Sequence, residues 1–487
     1  MRKELFTLET IERFFLFLLM IGLCTLSVVF YKERILFNDT LKCLYDLFYK
    51  DALNVTTNRY ISIFGELLPF LAFKGGGSLK SVLLLYSLNL ILLPVVLSLI
   101  SMYWFRETRT AWTILLYYVL MSARLFYYPI SELQAGLGFL LFYTGFWDFA
   151  MRQPAPVRPL TFWCASLFFI PTIIFSHPLA LLVFFGWIVL RLALAPRQWQ
   201  PLAGISLLAI AAQTVKMLFF SVAHDADKAQ GITAFRQFGQ TYFDTRLTQG
   251  FFKALRDDYF LLPFLLVLGV AALFYRRQQL AATLLLLLTL GFWLLVTVSL
   301  KDEWYWYYSE HMYQPMILFL ALGAGRYFTV VCKRRYYLPV LALVALFSVN
   351  KIYYGHEPMT RRLQWYQSCF DLMATKGITK GIVGADHLDI GWDMRANWLS
   401  QYESAFLDAL QHPAGPTRTV TILWNEADAR PLIAQGNALV GIMLNLEPVT
   451  MLPQQYFHFN SSHYAILTDA FTEEQVRKLS YESPEKQ

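Results

Sequence analysis

A few residues in this 487-residue chain have side chains whose type and setting suit chemistry, and each lies beside a long apolar run. Asp39, in "YKERILFNDTLKCLYD", could take a proton from a hydroxyl as a general base, or hold a divalent metal through its oxygens. Asn38 and Asp39 also suit the cap of a helix beginning at Thr40. Arg124, in "MSARLFYY", and Glu132, in "YYPISELQAG", would neutralise each other as a pair, and Ser131 and Glu132 also suit a helix first turn. His177, in "FSHPL", is either a hairpin tip or a group that donates to phosphate or shuttles a proton. Lys216, in "AAQTVKMLFF", lies about two turns inside the end of an apolar helix, from which it either snorkels to the boundary or holds an anionic headgroup. Glu310, His311 and Tyr313, in "SEHMYQP", set acidic, basic and phenolic groups at the mouth of a late apolar segment.

The sequence contains no nucleophile elbow, HExxH or dinucleotide fingerprint, and the three glycines of "KGGGSLK" lack the strand and helix context of a phosphate cradle. Five scattered cysteines make no disulfide framework or zinc spacing; a bond between Cys43 and Cys369 stays open, as both are expected outside the apolar runs.

Composition decides the broad class. Hydrophobic residues make up 56% of the chain, charged residues only 15%, and the mean hydropathy is +0.43; soluble domains carry about 25% charge. This is the composition of a polytopic α-helical membrane protein. Its net charge of +7 is spread as short clusters between apolar runs, which points to topology and away from nucleic acid.

Apolar runs of spanning length predict about eleven transmembrane helices, near 14–30, 81–104, 111–128, 133–150, 160–176, 179–195, 203–222, 259–275, 280–300, 315–332 and 338–354. The connections "FRETR", "MRQPAPVR", "RLALAPRQW", "YRRQQ" and "CKRRYY" are short and basic, hence cytoplasmic. The alternate set comprises 31–80, "YYPISE", "SHP", 223–258 and "KDEWYWYYSEHMYQ". The N-terminus is then inside, retained as a first span, and the C-terminus outside. Pro178 favours a reversal at "SHP", so 160–195 reads as a tight hairpin with His177 at its tip.

Residues 1–354 thus form a transmembrane helical domain with an outer loop over 31–80, in which "LKCLYDLFYKDAL" and "TNRYISIFGELLPFLAF" have the spacing of interfacial helices. Residues 355–480 read as an extracytoplasmic α/β domain. A helical "MTRRLQWYQSCFDLMATKG" alternates there with the strands "KGIVGAD", "TVTILW" and "ALVGIML", and 481–487 is a disordered tail. In this topology Asp39, Arg124, Glu132, His177, Lys216, Glu310, His311 and Tyr313 fall on the outer boundary, where they would line one cavity. Ionisable groups near hydrocarbon are functional candidates by default.

The arrangement resembles the GT-C superfamily of integral-membrane glycosyltransferases that use polyprenyl-phosphate sugars. The features are Asp39 in the first outer loop, the many spans, the aromatic loop ending "EHMYQP" before a late helix, and the outer C-terminal domain. The resemblance implies transfer of a sugar from a polyprenyl-phosphate donor to a glycan, lipid or protein acceptor. Asp39 would be base or metal ligand, and Tyr313 to Pro315 would match a Tyr-x-Pro element. No cofactor is required by the residues; a divalent metal, Mg or Mn, is an option, although "NDT" supplies one carboxylate where the superfamily commonly has two. Lys216, His177 and Arg124 would hold the donor phosphate, with Glu132, Glu310, His311 and Tyr313 in support. A lipid or glycan flippase, and a non-catalytic scaffold for envelope assembly, are the alternatives. The expected partners are the lipid-linked sugar, its acceptor and membrane lipids, and the expected location is a bacterial inner membrane with the C-terminal domain in the periplasm.

Overall fold

The computed structural model describes residues 2–53, 55, 59–129, 132–154, 158–220, 246–299, 306–384, 398–423, 438–440, 446–472 and 475. Most of 223–258, the start of the 301–314 loop and the 481–487 tail lie outside the described residues.

Long runs of Leu, Val, Ile and Phe with few charges have one way to satisfy their backbone in hydrocarbon, the α-helix. Among the described residues seven helices are long and apolar enough to cross a membrane, or eight if the pair Leu247–Asp257 and Leu261–Tyr275, bent by 82°, counts as one span. The chain is therefore a polytopic, largely α-helical protein. Its long helices include Arg2–Val29, Leu79–Tyr103, Arg158–Ser176, Trp199–Phe219, Gln279–Ser299 and Arg334–Tyr354. The hairpin forms as expected, with Pro178–Leu194 following Arg158–Ser176 across the single residue His177. Asn38–Lys50 and Ser62–Lys74 are the two helices expected in the first loop.

These seven or eight are fewer than the about eleven spans predicted, and the span predicted over 111–128 differs in extent. In place of a helix over 111–128 the chain forms Thr108–Val119, then unwinds through an extended Leu120 and a left-handed Met121 (φ 46°) into a short 3₁₀ turn, Leu125–Tyr127. The polar Ser122 and Arg124 would cost most within hydrocarbon, and here the freed backbone finds other partners, described below. We refer to 120–129 as the connection. Gly355, just after the last long helix, lies so close to it that a Cβ would overlap the Ala123 carbonyl.

The C-terminal unit has the expected α/β character. Strands β1 (Lys380–Gly384), β2 (Thr419–Leu423), β3 (Ala438–Val440), β4 (Leu446–Pro448) and β5 (Ala465–Ile466) form a parallel three-stranded sheet of order β2-β1-β5 and an antiparallel pair β3-β4. Every residue of β1 and β2 is buried, as a parallel sheet requires. Helices Glu357–Ala374 and Ser400–Gln411 accompany the sheet. The unit does not stand apart from the first loop. Leu41, Leu44 and Phe48 share one hydrophobic core with Tyr366, Phe370 and Phe406, and Phe48 stacks on Phe406 with ring centres 5.8 Å apart. Cys43 and Cys369 are both free thiols.

Candidate functional site

Asp39 stands exposed in the first turn of Asn38–Lys50. It does not cap that helix, nor does the side chain of Asn38; the N-cap is Phe37, with no side-chain cap bond. The helix start is held from the C-terminal unit instead. The Asn38 amide donates to Glu403 Oε1 at 3.2 Å, a favourable place for a carboxylate against the helix dipole. Glu403 is fully buried and paired with Arg362 at 2.6 Å, and it accepts from the Tyr366 hydroxyl at 3.0 Å. The Arg362 guanidinium lies 5.0 Å from the centre of the Phe37 ring. Asp39 Oδ2 accepts from the Tyr128 hydroxyl, and the Tyr128 ring meets Phe37 edge-on at 6.0 Å.

Tyr128 belongs to the connection, which gathers other candidates. The amides of Arg124 and Leu125 donate to Glu310 Oε2 at 2.8 and 2.6 Å, and the Tyr259 hydroxyl donates to Glu310 Oε1. Glu310 is fully buried. Burial pushes its carboxyl up to about 7, against the Tyr259 hydroxyl and the two amides, which pull it down. A carboxyl so poised exchanges its proton near neutral pH. From the other side, buried Arg34 donates to the Phe126 carbonyl and lies 3.9 Å from the centre of the Phe126 ring. Its Nε donates to Ser87 Oγ at 2.8 Å. The Tyr127 hydroxyl donates to the Ile352 carbonyl at 3.0 Å.

The expected pair of Arg124 with Glu132 does not form. Glu132 faces Arg59 at 3.4 Å, while the half-buried Arg124 guanidinium has no hydrogen bond or ion pair among the described residues. The geometric reason is the unwinding after Val119, which turns the Arg124 amide toward Glu310. Glu132 lines a cleft of about 500 Å³ of open space with Ile61, Phe64, Asn89, Leu93 and Tyr118.

His177 Nδ1 accepts from the Leu179 amide at 3.1 Å, so the buried imidazole caps the second arm of its hairpin. Its ring meets that of His311 edge-on, with centres 6.3 Å apart. Gly136 brings Glu132–Met151 against this tip, since a Cβ there would overlap Ser176 Oγ. Lys216 is one turn, not two, from its helix end: it lies buried in the last turn of Trp199–Phe219, with Nζ 3.5 Å from the Ile174 carbonyl. That carbonyl belongs to the last turn of Arg158–Ser176, where the helix dipole favours a cation. Tyr313 turns into the packing: its hydroxyl lies 2.9 Å from that of Thr297, and its ring centre 4.8 Å from that of Phe251.

The structure thus brings Asp39, Arg124 and Glu310 onto the connection, and Glu132 follows it in the next helix. His177 meets His311, the neighbour of Glu310, and Lys216 touches the helix that ends at His177. These contacts put all of them at the same end of the bundle. Among the described residues no group of three His, Cys, Asp or Glu could hold a metal ion. Sequence reasoning missed Tyr128, Arg34 and Arg59. The two arginines did carry a signal, because basic residues on the expected outer side run against the usual charge bias; Tyr128 was hidden in an aromatic run expected of any membrane boundary.

Compared with known proteins, the chain matches no family model, no curated protein and no solved structure.

Proposed function

We propose that this chain is an integral-membrane glycosyltransferase of the GT-C type, with about eleven spans, its N-terminus in the cytoplasm and the site on the outer leaflet of a bacterial inner membrane. The C-terminal α/β unit is then periplasmic. A polyprenyl-phosphate sugar lies with its tail in the bilayer and its phosphate at the boundary. Asp39 takes the proton of an acceptor hydroxyl, the oxygen attacks the anomeric carbon, and the carbon–oxygen bond to the phosphate breaks with inversion. Lys216, His177 or Arg124 stabilises the departing phosphate.

The observation that carries this reading is the convergence of Asp39, Arg124 and Glu310, from three distant parts of the sequence, on one irregular connection at one end of the bundle. Irregular backbone at membrane depth persists only where it is buried in protein or lines a water-filled cavity, the setting such a site needs. The exposed Asp39 beside the seam with the C-terminal unit gives an acceptor access from water.

The test uses purified protein in liposomes with polyprenyl-phosphate sugars and candidate glycan, lipid and peptide acceptors. Asp39→Asn is expected to lower transfer by roughly a hundredfold or more at unchanged protein level. Unchanged transfer removes Asp39 from the chemistry, and movement of the donor across the bilayer with its sugar intact would identify a flippase.

A further inference from the structure

Resting on that reading, we propose that Tyr128 is the positioning residue of Asp39, and that Glu310 and Arg34 hold Tyr128 in place by gripping opposite ends of the turn before it. Four contacts define the device. The Tyr128 hydroxyl donates to Asp39 Oδ2. The amide side of the turn, at Arg124 and Leu125, donates to the Glu310 carboxylate. The carbonyl side, at Phe126, accepts from Arg34. Between them Tyr127 is anchored to the Ile352 carbonyl.

The polarity of this arrangement gives it physical sense. A short helical turn presents amides at its start and carbonyls at its end, and charged groups of matching sign make the stronger hydrogen bonds with each. Glu310 and Arg34 are both buried, and neither has an ion-pair partner among the described residues. Isolated buried charges are costly to keep, so their service to one three-residue turn needs a reason. That reason is the residue that follows: Tyr128 fixes one carboxylate oxygen of Asp39, Oδ2, and with it the orientation of the carboxylate. The titratable groups acting on Glu310 from the elements around it are Tyr259 and Arg124, and Asp258 acts in turn on Tyr259.

Full-length protein in nanodiscs tests both halves. Tyr128→Phe removes only the hydroxyl. It should lower kcat by roughly tenfold to a hundredfold with KM within about twofold. In the Asp39→Asn background the same change should alter the rate by less than about twofold. An equal loss of rate in both backgrounds overturns the orienting role. The melting temperature is read for the same cycle without substrate: the loss caused by Tyr128→Phe should shrink in the Asp39→Asn background, and equal losses again overturn the contact.

The clamp is read by hydrogen exchange of the peptide covering 120–129, also without substrate. Exchange should rise in the order wild type, Glu310→Gln, Glu310→Ala, by roughly tenfold in the last; unchanged exchange in both variants overturns the clamp. Graded exchange in a protein that transfers no sugar sinks the transferase reading and leaves the clamp standing, so the two failures are distinguishable.

Discussion

At the end of the bundle that carries the basic connections, buried charges meet partners of opposite sign. Glu12 is fully buried, 2.9 Å from Arg334 Nε, and it also accepts from Trp112 Nε1 and the Tyr337 hydroxyl at 2.9 Å each and from Thr108 at 3.2 Å. Asp148 bridges two arginines, Arg191 at 2.5 Å and Arg326. At the opposite end, Glu310 is held by amides and a phenol, and Arg34 by a serine, a carbonyl and a ring. The difference is electrostatic. An ion pair cancels its own field a few ångströms away, whereas an ion solvated by neutral dipoles keeps its charge. The first arrangement locks helices together; the second leaves charge that a phosphate or a hydroxyl proton would feel.

The largest expected effect breaks the locked end. Glu12→Gln keeps an acceptor for Trp112 and Tyr337 but leaves Arg334 without this counter-ion, while its second partner, Glu9, lies 3.4 Å away and 42% exposed. Glu12 is fully buried but Arg334 is 23% exposed, so the loss should be about 1–2 kcal/mol, below the roughly 3 kcal/mol or more that breaking a fully buried pair costs. Denaturant titration in detergent should register that loss with little change in transfer by the surviving folded protein. A large loss of transfer without a loss of stability would put chemistry at the wrong end.

The second effect belongs to the other end and depends on pH. The Glu310 carboxyl is raised from the ordinary 4.5 to about 7 by burial. The folded state therefore binds its proton more tightly than the unfolded chain does, and the resulting stabilisation is fully present below pH 4.5 and lost as pH rises through 7. Melting temperatures measured from pH 5 to 8 should fall through that window in the wild type, and the slope should flatten in Glu310→Gln. A slope that persists in the variant assigns the titration to another group and weakens the contrast between the two ends.

How much of this was legible in the sequence follows the same physics. Hydrocarbon imposes strong demands on composition, so the long helices, the hairpin at His177 and the two helices of the first loop could be read from apolar spacing. The strands of the C-terminal unit were legible for a similar reason: "KGIVG" and "TVTIL" are short, apolar and buried. The connection was not legible, because Leu120 to Tyr128 is apolar enough to pass for helix. Where it unwinds, Glu310, nearly two hundred residues later, supplies an acceptor for the Arg124 and Leu125 amides, and Arg34 a donor to the Phe126 carbonyl. Asp39 was chosen for its loop and its carboxylate, but its partner Tyr128 is set by that same distant contact. The Arg124–Glu132 pair failed for this reason too: proximity in sequence predicted a pair that the unwound backbone turns apart.

The smallest expected effect separates burial from location. Asp51 and Lys74 form an ion pair of 2.5 Å at the same end as the proposed site, between the C-cap of Asn38–Lys50 and the last residue of Ser62–Lys74, but their side chains are 60% and 44% exposed. Water and salt screen such a pair, and holding two long side chains in one geometry costs entropy, so Asp51→Asn should change stability by no more than about 0.5 kcal/mol. Transfer should stay within about twofold of the wild type, since among the described residues the pair makes no hydrogen bond or ion pair with the connection. If Asp51→Asn were instead as damaging as Glu310→Ala, the special character of this end would come from its placement on the molecule. If that character comes instead from Glu310 and Arg34, buried without counter-ions among the described residues, this exposed pair must be nearly silent.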